Sequence, residues 1–532
     1  MSNNSINSSN NSNSSNNSSN SNFINDLIKK SMDAGIIGAG GGGFPLYKKF
    51  LSAQTLTKKI DTVIANGSEC EPLLESDKLL MRKFPEQVIL GLEHSMRICQ
   101  AKLGIIAVKG EYKDVVVELE KIISQRASQG IYNPNIFEIK LHLLESYYPV
   151  GDEFLLVYET TSRIIPEGGL PLSVGVMVHN VLTLAQLSEA IDGGGISVTS
   201  RLVTVTGEVE GVKVFKAPIG ISINDLISRV KLKRPLSQLK IIDGGPMMGK
   251  LVDTEKINVG KRSSGIILLP KDHLLVKAQE IDLNQMVKKS KASCCQCYRC
   301  SELCPRSLLG HSLNPHQSMR MLDYNLSAPL NAITSAFLCS QCGVCELFAC
   351  DVMELSPRKI LAEYRKLLSR AGMKNPHSNS PIKTLEALEF RKIPTKKLIT
   401  KLRLADYDTQ NFHDAHNNHN THDVHNVHYE VIYPSEVRSV TINIAEHIGE
   451  AAKPIVTVGT NVSLGDIIAI TPNIDIEMGN GNNGNNNKLG SIYHASINGF
   501  VKNISDKEIT IINSNTSSTN NTSGISGSSV EE

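Results

Sequence analysis

The chain has 532 residues, 55 Lys and Arg against 53 Asp and Glu, and a formal net charge of +2. This length allows several domains with buried cores, and the near-neutral charge gives no electrostatic case for nucleic acid as a partner. Eleven cysteines, eight of them in two short runs, indicate a reducing compartment. No apolar stretch of about eighteen residues occurs, so no integral membrane segment is expected.

The first third of the sequence predicts an α/β domain. Residues 1–22 are almost entirely Ser and Asn, which indicates a disordered tail and not a secretory signal. An amphipathic helix at 23–34 then leads into a glycine-rich loop. The strands that follow alternate with helices near 86–103 and 114–126, which predicts a mostly parallel sheet in a domain over 23–196; these strands are expected at 62–65, 104–108 and 137–143.

The pattern changes at about Ser197. A β-rich run at 201–207 precedes a short helix near 223–230 and a turn-rich segment at 243–249. We expect a small β-grasp-like domain over 197–275.

Two cysteine runs follow in the segment 276–372, which is expected to close with a helix from Ser356-Pro357 to Ala371-Gly372. They read Cys294-x2-Cys297-x2-Cys300-x3-Cys304-Pro305 and Cys339-x2-Cys342-x2-Cys345-x4-Cys350. Three closely spaced thiolates with a fourth further on are typical of [4Fe–4S] ligation, and in two-cluster proteins the fourth cysteine of one run binds the other cluster. This predicts a helical, ferredoxin-like domain with two [4Fe–4S] clusters, whose ligands are Cys294, Cys297, Cys300 and Cys350 for one cluster and Cys339, Cys342, Cys345 and Cys304 for the other.

Other interpretations of the cysteines are weaker. Zinc sites use two CxxC pairs and lack a third cysteine at the same spacing, and a disulfide framework is typical of exported proteins. The second run departs from the simple pattern, with four residues before Cys350 and Asp351 in place of proline. Cys295 could shift the register of the first run by one, but only Cys294 gives the even spacing.

The remaining sequence divides into a linker, a strand-rich domain and a tail. Residues 373–428 are rich in His and Asn, with six histidines at every third position from His413 to His428, and are interpreted as a solvated linker, with adventitious Zn, Ni or Cu binding as the alternative. Residues 429–513 resemble the barrel-sandwich hybrid of lipoyl and biotinyl carriers. The lysine tripeptide of a carrier is missing, which favours a docking or structural role. Residues 514–532 are expected to form a second disordered tail.

Two loops in the first domain suggest a nucleotide site. Gly38–Gly43 could bring backbone N–H groups close to a phosphate, with Lys48 and Lys49 adding positive charge. By itself, such a loop could equally be a flexible connection. The segment Asn66–Pro72 strengthens the first interpretation because it lies at the carboxyl end of a strand, where open α/β sheets bind their ligands.

Several motifs resemble the NADH-binding flavoprotein of complex I and the C subunit of the Rnf complex. They are Gly38-x-Gly40-Gly41-x-Gly43-Phe44-Pro45, Asn66-Gly67-Ser68-Glu69-Cys70-Glu71-Pro72, Tyr148-Pro149-Val150-Gly151-Asp152-Glu153, Pro166–Pro171 and Val178–Thr183, with Gly244–Gly249 specific to the Rnf protein. The resemblance covers about residues 23–372, and the C-terminal domain matches separately through Glu446–Gly449 and His494-Ala495.

This resemblance implies a non-covalent FMN and NADH as electron donor. By motif position, the FMN would be surrounded by Gly38, Gly40, Gly41, Gly43, Lys49, Asn66, Glu69 and Asn180. The nicotinamide nucleotide would lie near Glu71, Gly151, Asp152 and Glu153. No residue is assigned a catalytic role. Complex I has an acidic residue where Ser68 stands and Asn where His179 stands.

Domain order discriminates between members of the family. In the Rnf protein the barrel-sandwich domain precedes the flavin domain, whereas here it follows the cysteine runs. This order is similar to that of the cobalamin reductases of propanediol-utilisation microcompartments. The resemblance implies electron transfer from NADH through FMN and two clusters to cobalamin, in support of a B12-dependent diol dehydratase.

The same resemblance sets expectations for location and partners. It implies a cytoplasmic protein within a bacterial microcompartment, in contact with cobalamin, shell or electron-transfer proteins and an adenosyltransferase. One alternative is an Rnf-type protein that exchanges electrons between NADH and ferredoxin or other proteins. Another is a non-enzymatic adaptor whose nucleotide site has decayed, which the residues at Ser68 and His179 keep open.

Overall fold

The computed structural model describes residues 11–132, 137–253, 257–324, 330–378, 382–408, 427–474 and 489–514. Within these ranges, no helix has the length and apolar character needed to cross a membrane.

The first domain is built on a parallel sheet, as the alternation of strands and helices predicts. Its first helix begins at Asn11, so residues 11–22 differ from the disordered tail expected over 1–22 and extend the amphipathic helix predicted at 23–34. Its four central strands follow the order β3-β2-β1-β5, and every pairing between them is parallel. The carboxyl ends of β1 and β5 lie side by side, with Asn66 opposite Asn180. The elements are α1 (Asn11–Asp33), α2 (Leu46–Gln54), β1 (Thr62–Gly67), α3 (Ser76–Lys83), α4 (Pro85–Cys99), β2 (Leu103–Lys109), α5 (Lys113–Ser128), β3 (Glu138–Leu144), β4 (Tyr147–Tyr148), α6 (Glu153–Thr161), β5 (Val176–Asn180) and α7 (Val181–Asp192).

The second domain has a mixed sheet and one helix. Strand β6 is almost wholly buried and pairs antiparallel with β7 and parallel with β10. Strand β10 in turn pairs with β8, and β8 with β9. The elements are β6 (Ser200–Gly207), β7 (Val212–Pro218), α8 (Ile223–Ser228), β8 (Leu239–Asp243), β9 (Lys250–Val252) and β10 (Gly265–Pro270).

The segment that carries the cysteines is helical. Its helix α10 begins with a capping box between Asp282 and Gln285, and α15 begins where the Ser356 hydroxyl accepts from the Lys359 amide, as its sequence predicts. The helices are α9 (Leu274–Glu280), α10 (Leu283–Ser293), α11 (Arg299–Glu302), α12 (Pro305–Leu308), α13 (Pro315–Tyr324), α14 (Leu330–Thr334) and α15 (Pro357–Arg370), with a π-helical turn at Val344–Ala349.

Part of the expected linker is packed against the first domain. Strand β11 (Ile393–Pro394) pairs antiparallel with β4, and α16 (Thr395–Lys401) follows it. Ile393 and Leu398 are buried in a core shared with Tyr148 and Met247. Within 382–408 the structure therefore differs from the solvated linker expected over 373–428. The apolar residues here belong to short elements, so they show no helical or strand periodicity in the sequence. Most of the histidine run lies outside the described residues.

The chain after the histidine run returns to the second domain. Strand β12 (Val427–Val431), which includes His428, pairs parallel with β7 and extends that sheet to six strands. The last domain then has two antiparallel sheets, in the orders β13-β19-β18-β15 and β14-β16-β17. Its strands are β13 (Ser439–Asn443), β14 (Lys453–Pro454), β15 (Asn461–Val462), β16 (Ile467–Ile470), β17 (Ile492–His494), β18 (Gly499–Ile504) and β19 (Glu508–Asn513).

Candidate functional site

The glycine loop between α1 and α2 is held in shape by its own backbone hydrogen bonds, and its central amides are free to bind a ligand. The Gly38 amide donates to the Phe44 carbonyl at 2.9 Å, and the Gly43 amide donates to the Gly38 carbonyl at 3.2 Å. Among the described residues, the N–H groups of Gly40, Gly41 and Gly42 have no hydrogen-bond partner. A Cβ at Gly41 or Gly42 would meet nothing within 4 Å. Three consecutive open amides without side chains form a site that suits an anion.

Asn180 lies against this loop and begins α7. Its Oδ1 accepts from the Leu182 amide at 2.9 Å, and its Nδ2 donates to Asp77 Oδ2 at 2.6 Å. A Cβ at Gly40 would lie 3.5 Å from the Asn180 Cβ. The amide of Ala39 donates to the Thr183 hydroxyl at 2.9 Å, so the loop is attached to the first turn of α7.

The segment after β1 is held by side-chain contacts to backbone. Asn66 Nδ2 donates to the Gly151 carbonyl at 2.9 Å. The Glu69 carboxylate accepts from the amides of Asp77 and Lys78 at 2.8 and 2.9 Å and so caps α3. Burial, followed by the neighbouring Asp77 carboxylate, raises the pKa of Glu69 to about 8. These contacts fix the loop at the edge of the sheet where the glycine loop also lies.

Glu71 connects the first domain to the second. Its Oε2 accepts from the Met247 amide at 2.8 Å, in the turn after β8. Its Oε1 is buried and has no hydrogen-bond partner among the described residues. Burial raises the pKa of this carboxyl to about 7. The contact with Met247 gives Glu71 a role between domains, and its expected place near the nicotinamide stays a prediction.

The other residues expected near the nucleotide lie at the start of α6. The Gly151 amide donates to Cys70 Sγ at 2.7 Å. Asp152 caps α6, and its Oδ2 forms an ion pair with Arg306 Nη2 at 3.0 Å. Glu153 pairs with Lys49 at 3.5 Å. The structure therefore brings the expected flavin and nucleotide residues into one neighbourhood at the ends of β1 and β5.

Ser68 and His179, the two residues that differ from complex I, both have hydrogen-bond partners within the protein. The Ser68 hydroxyl donates to Asn66 Oδ1 at 2.8 Å. The buried His179 ring lies 3.0 Å from the Ser95 hydroxyl and packs edge-on against Phe50. Burial lowers the pKa of His179 well below its ordinary value, so the ring is neutral.

The first three cysteines of the second run and Cys304 line one cavity. Its walls include Cys304, Cys339, Cys342 and Cys345 together with Arg306 and Arg358. Burial and the thiolates of Cys342 and Cys339 raise the pKa of Cys304, and burial raises that of Cys342 to about 11. Within the described ranges, no three His, Cys, Asp or Glu side chains are arranged to hold a single metal ion.

The remaining cysteines form a second, more exposed group. Burial, followed by the nearby thiolates of Cys350, Cys297 and Cys294, raises the pKa of Cys300 to about 12. Cys297 is exposed. Cys295 is also exposed and lies near Cys350, so the register of the first run is not decided by position alone.

The donor chemistry of both groups fits an iron–sulfur centre. Closely placed, desolvated thiols oppose one another's ionisation, as their raised pKa values show. A bound metal centre supplies the positive charge that lets such thiols bind as thiolates. The cysteines of each group come from both runs, which is the grouping that the spacing predicts.

The cavity of Cys342 adjoins the nucleotide motif. The Tyr148 hydroxyl donates to the Cys342 carbonyl at 2.7 Å, and Arg306 pairs with Asp152 while lining the cavity. Arg358 donates to the Met247 carbonyl and pairs with Glu346 at 2.7 Å. Sequence reasoning did not assign these roles. The only signal was the position of Arg306 two residues after Cys304.

Two regions of the chain match known protein families. Residues 31–189 match the family described as Nuo51 FMN-binding domain, and residues 293–354 match a 4Fe-4S dicluster domain. These matches support the expected flavin domain and the expected pair of clusters at the level of domain type.

Relatives extend the likeness to most of the chain. Cobalamin reductase PduS of Citrobacter freundii is 34% identical over 90% of this chain and 94% of that protein. The protein of the same name from Salmonella typhimurium is 32% identical over 90% and 94%. In Acetobacterium woodii, the C protein of the Na(+)-translocating ferredoxin:NAD(+) oxidoreductase complex is 31% identical over 56% of this chain and 62% of that protein.

Proposed function

Because the chain belongs to the PduS cobalamin reductase family, we propose that it carries electrons from NADH through FMN and two [4Fe–4S] clusters to cobalamin. Within the molecule, the observation that carries this proposal is the direct contact between the flavin-type domain and a cavity lined by cysteines. Tyr148 and Asp152 make that contact, to Cys342 and Arg306.

The reaction balances as one NADH and two cob(III)alamin giving NAD⁺, one proton and two cob(II)alamin. A bound flavin exchanges electrons both in pairs and singly, whereas an iron–sulfur cluster exchanges them singly, which is the chemistry that this conversion needs. A further one-electron step would give cob(I)alamin. The product would sustain a B12-dependent diol dehydratase.

The residues of the chain bind and orient the participants. The flavin is assigned to the glycine loop and the surrounding polar groups, which are Gly38, Gly40, Gly41, Gly43, Lys49, Asn66, Glu69 and Asn180. The nicotinamide nucleotide is assigned to the segment at the start of α6, with Gly151, Asp152 and Glu153, and to Glu71. The clusters are assigned to Cys294, Cys297, Cys300 and Cys350, and to Cys339, Cys342, Cys345 and Cys304.

We place the protein in a propanediol-utilisation microcompartment on the strength of its family. Its partners there would be shell or electron-transfer proteins and the adenosyltransferase that acts on the reduced corrinoid. Co-purification of the intact chain with isolated microcompartments tests this location.

An anaerobic mixing experiment tests the function. Reconstituted protein is mixed with NADH and hydroxocobalamin while the visible spectrum is followed. The proposal predicts bleaching of the flavin, followed by the spectrum of cob(II)alamin. Bleaching without any change in the cobalamin would overturn the assignment of the acceptor.

The Rnf-type alternative has its own support, since the likeness to the Acetobacterium woodii protein extends over 56% of the chain. It predicts that NADH reduces the flavin and that a ferredoxin, and not cobalamin, accepts the electrons. Adding ferredoxin in place of hydroxocobalamin in the same experiment separates the two functions.

A further inference from the structure

Three basic side chains of the second domain bind backbone carbonyl groups in the glycine loop and just before it. Arg201 Nη2 donates to the Ala39 carbonyl at 2.7 Å, and Arg262 Nε donates to the Gly41 carbonyl at 2.8 Å. Lys261 Nζ donates to the Gly35 carbonyl at 2.6 Å, just before the loop. We call Arg201, Lys261 and Arg262 the brace. Hydrogen bonds from charged donors such as the two guanidinium groups are among the strongest that hold a backbone in place.

The brace determines which side of the loop offers its amides. In a trans peptide unit the carbonyl and the N–H of the next residue point in opposite directions. Since the Ala39 carbonyl faces Arg201, the N–H of Gly40 points away from it. In the same way, the contact between Gly41 and Arg262 turns the N–H of Gly42 away from the second domain. Both amides belong to the open set, so the brace presents them to a ligand.

The brace is itself fixed by the C-terminal domain. The Glu446 carboxylate accepts from the Lys261 amide at 2.7 Å, next to Gly260, where a Cβ would lie 1.7 Å from Glu446 Oε1. Lys261 Nζ also donates to the Ile492 carbonyl at 2.8 Å. The Ile448 amide donates to the Gly43 carbonyl at 3.0 Å. The C-terminal domain therefore contacts both the brace and the end of the loop.

We propose that Arg201, Lys261 and Arg262 are positioning residues that hold Gly40–Gly42 as a binding nest for the phosphate group of the bound flavin. The C-terminal domain completes this arrangement through Glu446, which gives a function to a carrier-like domain without a carrier lysine. The proposal rests on the proposed function, since it needs a flavin at the loop. Successive backbone amides that converge on one side of a chain are suited to a phosphate.

The matched ligands FMN and riboflavin test the proposal because they differ only in the phosphate. The full-length protein is freed of flavin, and its dissociation constant for each ligand is measured by fluorescence quenching. Arg262→Ala removes an exposed member of the brace. We expect its affinity for FMN to fall about tenfold, as the loss of one charged hydrogen bond implies, with less than about a twofold change for riboflavin. Arg438→Ala, at an exposed arginine of the C-terminal domain, is the control and should change neither.

A second variant separates positioning from charge. Glu446→Ala removes a negative charge, which by electrostatics alone would strengthen the binding of anionic FMN. Loss of the Lys261 anchor predicts the opposite, a weakening of FMN binding by about threefold to tenfold. Glu508→Ala removes an exposed carboxylate elsewhere in the same domain and is the matched control. Iron content and thermal melting of all variants report whether the fold is intact.

Several results would overturn the proposal. Equal losses for FMN and riboflavin in Arg262→Ala would mean that the loop does not bind the phosphate. Tighter FMN binding in Glu446→Ala, or no change in either variant, would exclude positioning. If only the affinity for NADH fell, the nest would serve the pyrophosphate of the nucleotide instead. Failure of the unaltered protein to bind either flavin would overturn the proposed function, and this inference with it.

Discussion

The hydroxyl of Tyr148 donates a 2.7 Å hydrogen bond to the carbonyl oxygen of Cys342, so the nucleotide motif touches the backbone of a predicted cluster ligand. Tyr148 is almost fully buried, and burial raises the pKa of its phenol well above the ordinary value, so it donates as the neutral group. The contact joins residues 194 positions apart. It fixes the spatial relation between the expected nucleotide site and the buried cysteine cavity.

Replacement of Tyr148 by phenylalanine tests how much this hydrogen bond contributes to the stability of the protein. The change leaves the Cys342 carbonyl without its donor in a buried place, which should lower stability by about 1–3 kcal/mol. Iron content should stay unchanged because no ligand is altered. Thermal melting and iron analysis measure both effects. Tyr433→Phe, at an exposed tyrosine, is the control, and equal melting of the two variants would show that the contact contributes little.

Serine replacements of the fourth cysteines test the assignment of ligands across the two runs. Cys304→Ser should damage the same cluster as Cys339→Ser, because these two cysteines line one cavity together with Cys342 and Cys345. Cys350→Ser should likewise match Cys294→Ser. Low-temperature electron paramagnetic resonance of the reduced variants identifies which cluster remains. If Cys304→Ser instead gave the spectrum of Cys294→Ser, each run would hold its own cluster.

The extra thiol of the first run gives a related test. Cys295→Ser should leave about eight iron atoms per chain, since two [4Fe–4S] clusters contain eight and Cys294 is the assigned ligand. Iron and sulfide analysis of the reconstituted variant gives the answer. About four iron atoms per chain would mean that Cys295 is the ligand.

Glu71 makes stability depend on pH in a defined direction. Its pKa is raised from 4.5 to about 7 by burial, so the folded state binds a proton more tightly than the unfolded state does. The contribution of this carboxyl is therefore most favourable below about pH 4.5 and is lost as pH rises through 7. Glu71→Gln stays neutral throughout.

The variant Glu71→Gln should therefore gain relative to the unaltered protein as pH rises. At pH 8 we expect it to melt at least about 2 °C higher, and at pH 5 the difference should shrink. Melting curves between pH 5 and 8 make the comparison. A difference that is the same at every pH would show that the Glu71 carboxyl does not titrate with a raised pKa.

The substitution Gly42→Ala tests whether a ligand occupies the space next to the glycine loop. A Cβ at this position meets nothing within 4 Å in the protein itself, so Gly42→Ala should melt and bind iron normally. FMN binding should weaken by about tenfold or more if the methyl group enters the ligand's space. Fluorescence quenching provides the measurement. Unchanged FMN affinity would place the flavin away from this face of the loop.

Much of the fold could be predicted because its signals are local. The alternation of strands and helices is enough to predict a parallel sheet, and Ser356-Pro357 marks the start of α15. The cysteine spacing likewise predicts which thiols come together. In two-cluster proteins, three closely spaced cysteines of one run join the last cysteine of the other run. In each of these cases a short stretch of sequence carries the physical cause of the structure.

The contacts between domains could not be predicted in this way. Lys261 bridges Gly35 and Ile492, which lie more than 200 residues away on either side, and no local pattern distinguishes it from a surface lysine. The packing of 382–408 was missed because Ile393 and Leu398 belong to different short elements. Such contacts depend on how the domains pack against one another. The hydrophobic periodicity of a single segment carries no information about that packing.

The ratio of cob(II)alamin formed to NADH consumed shows whether the protein transfers electrons from NADH to cobalamin. A catalytic amount of reconstituted protein is given a limiting, known amount of NADH and an excess of hydroxocobalamin under anaerobic conditions, and cob(II)alamin is measured by its absorbance. We predict two cob(II)alamin for each NADH consumed. NADH that is consumed without formation of cob(II)alamin, or cobalamin that stays oxidised while the flavin is bleached, would contradict it.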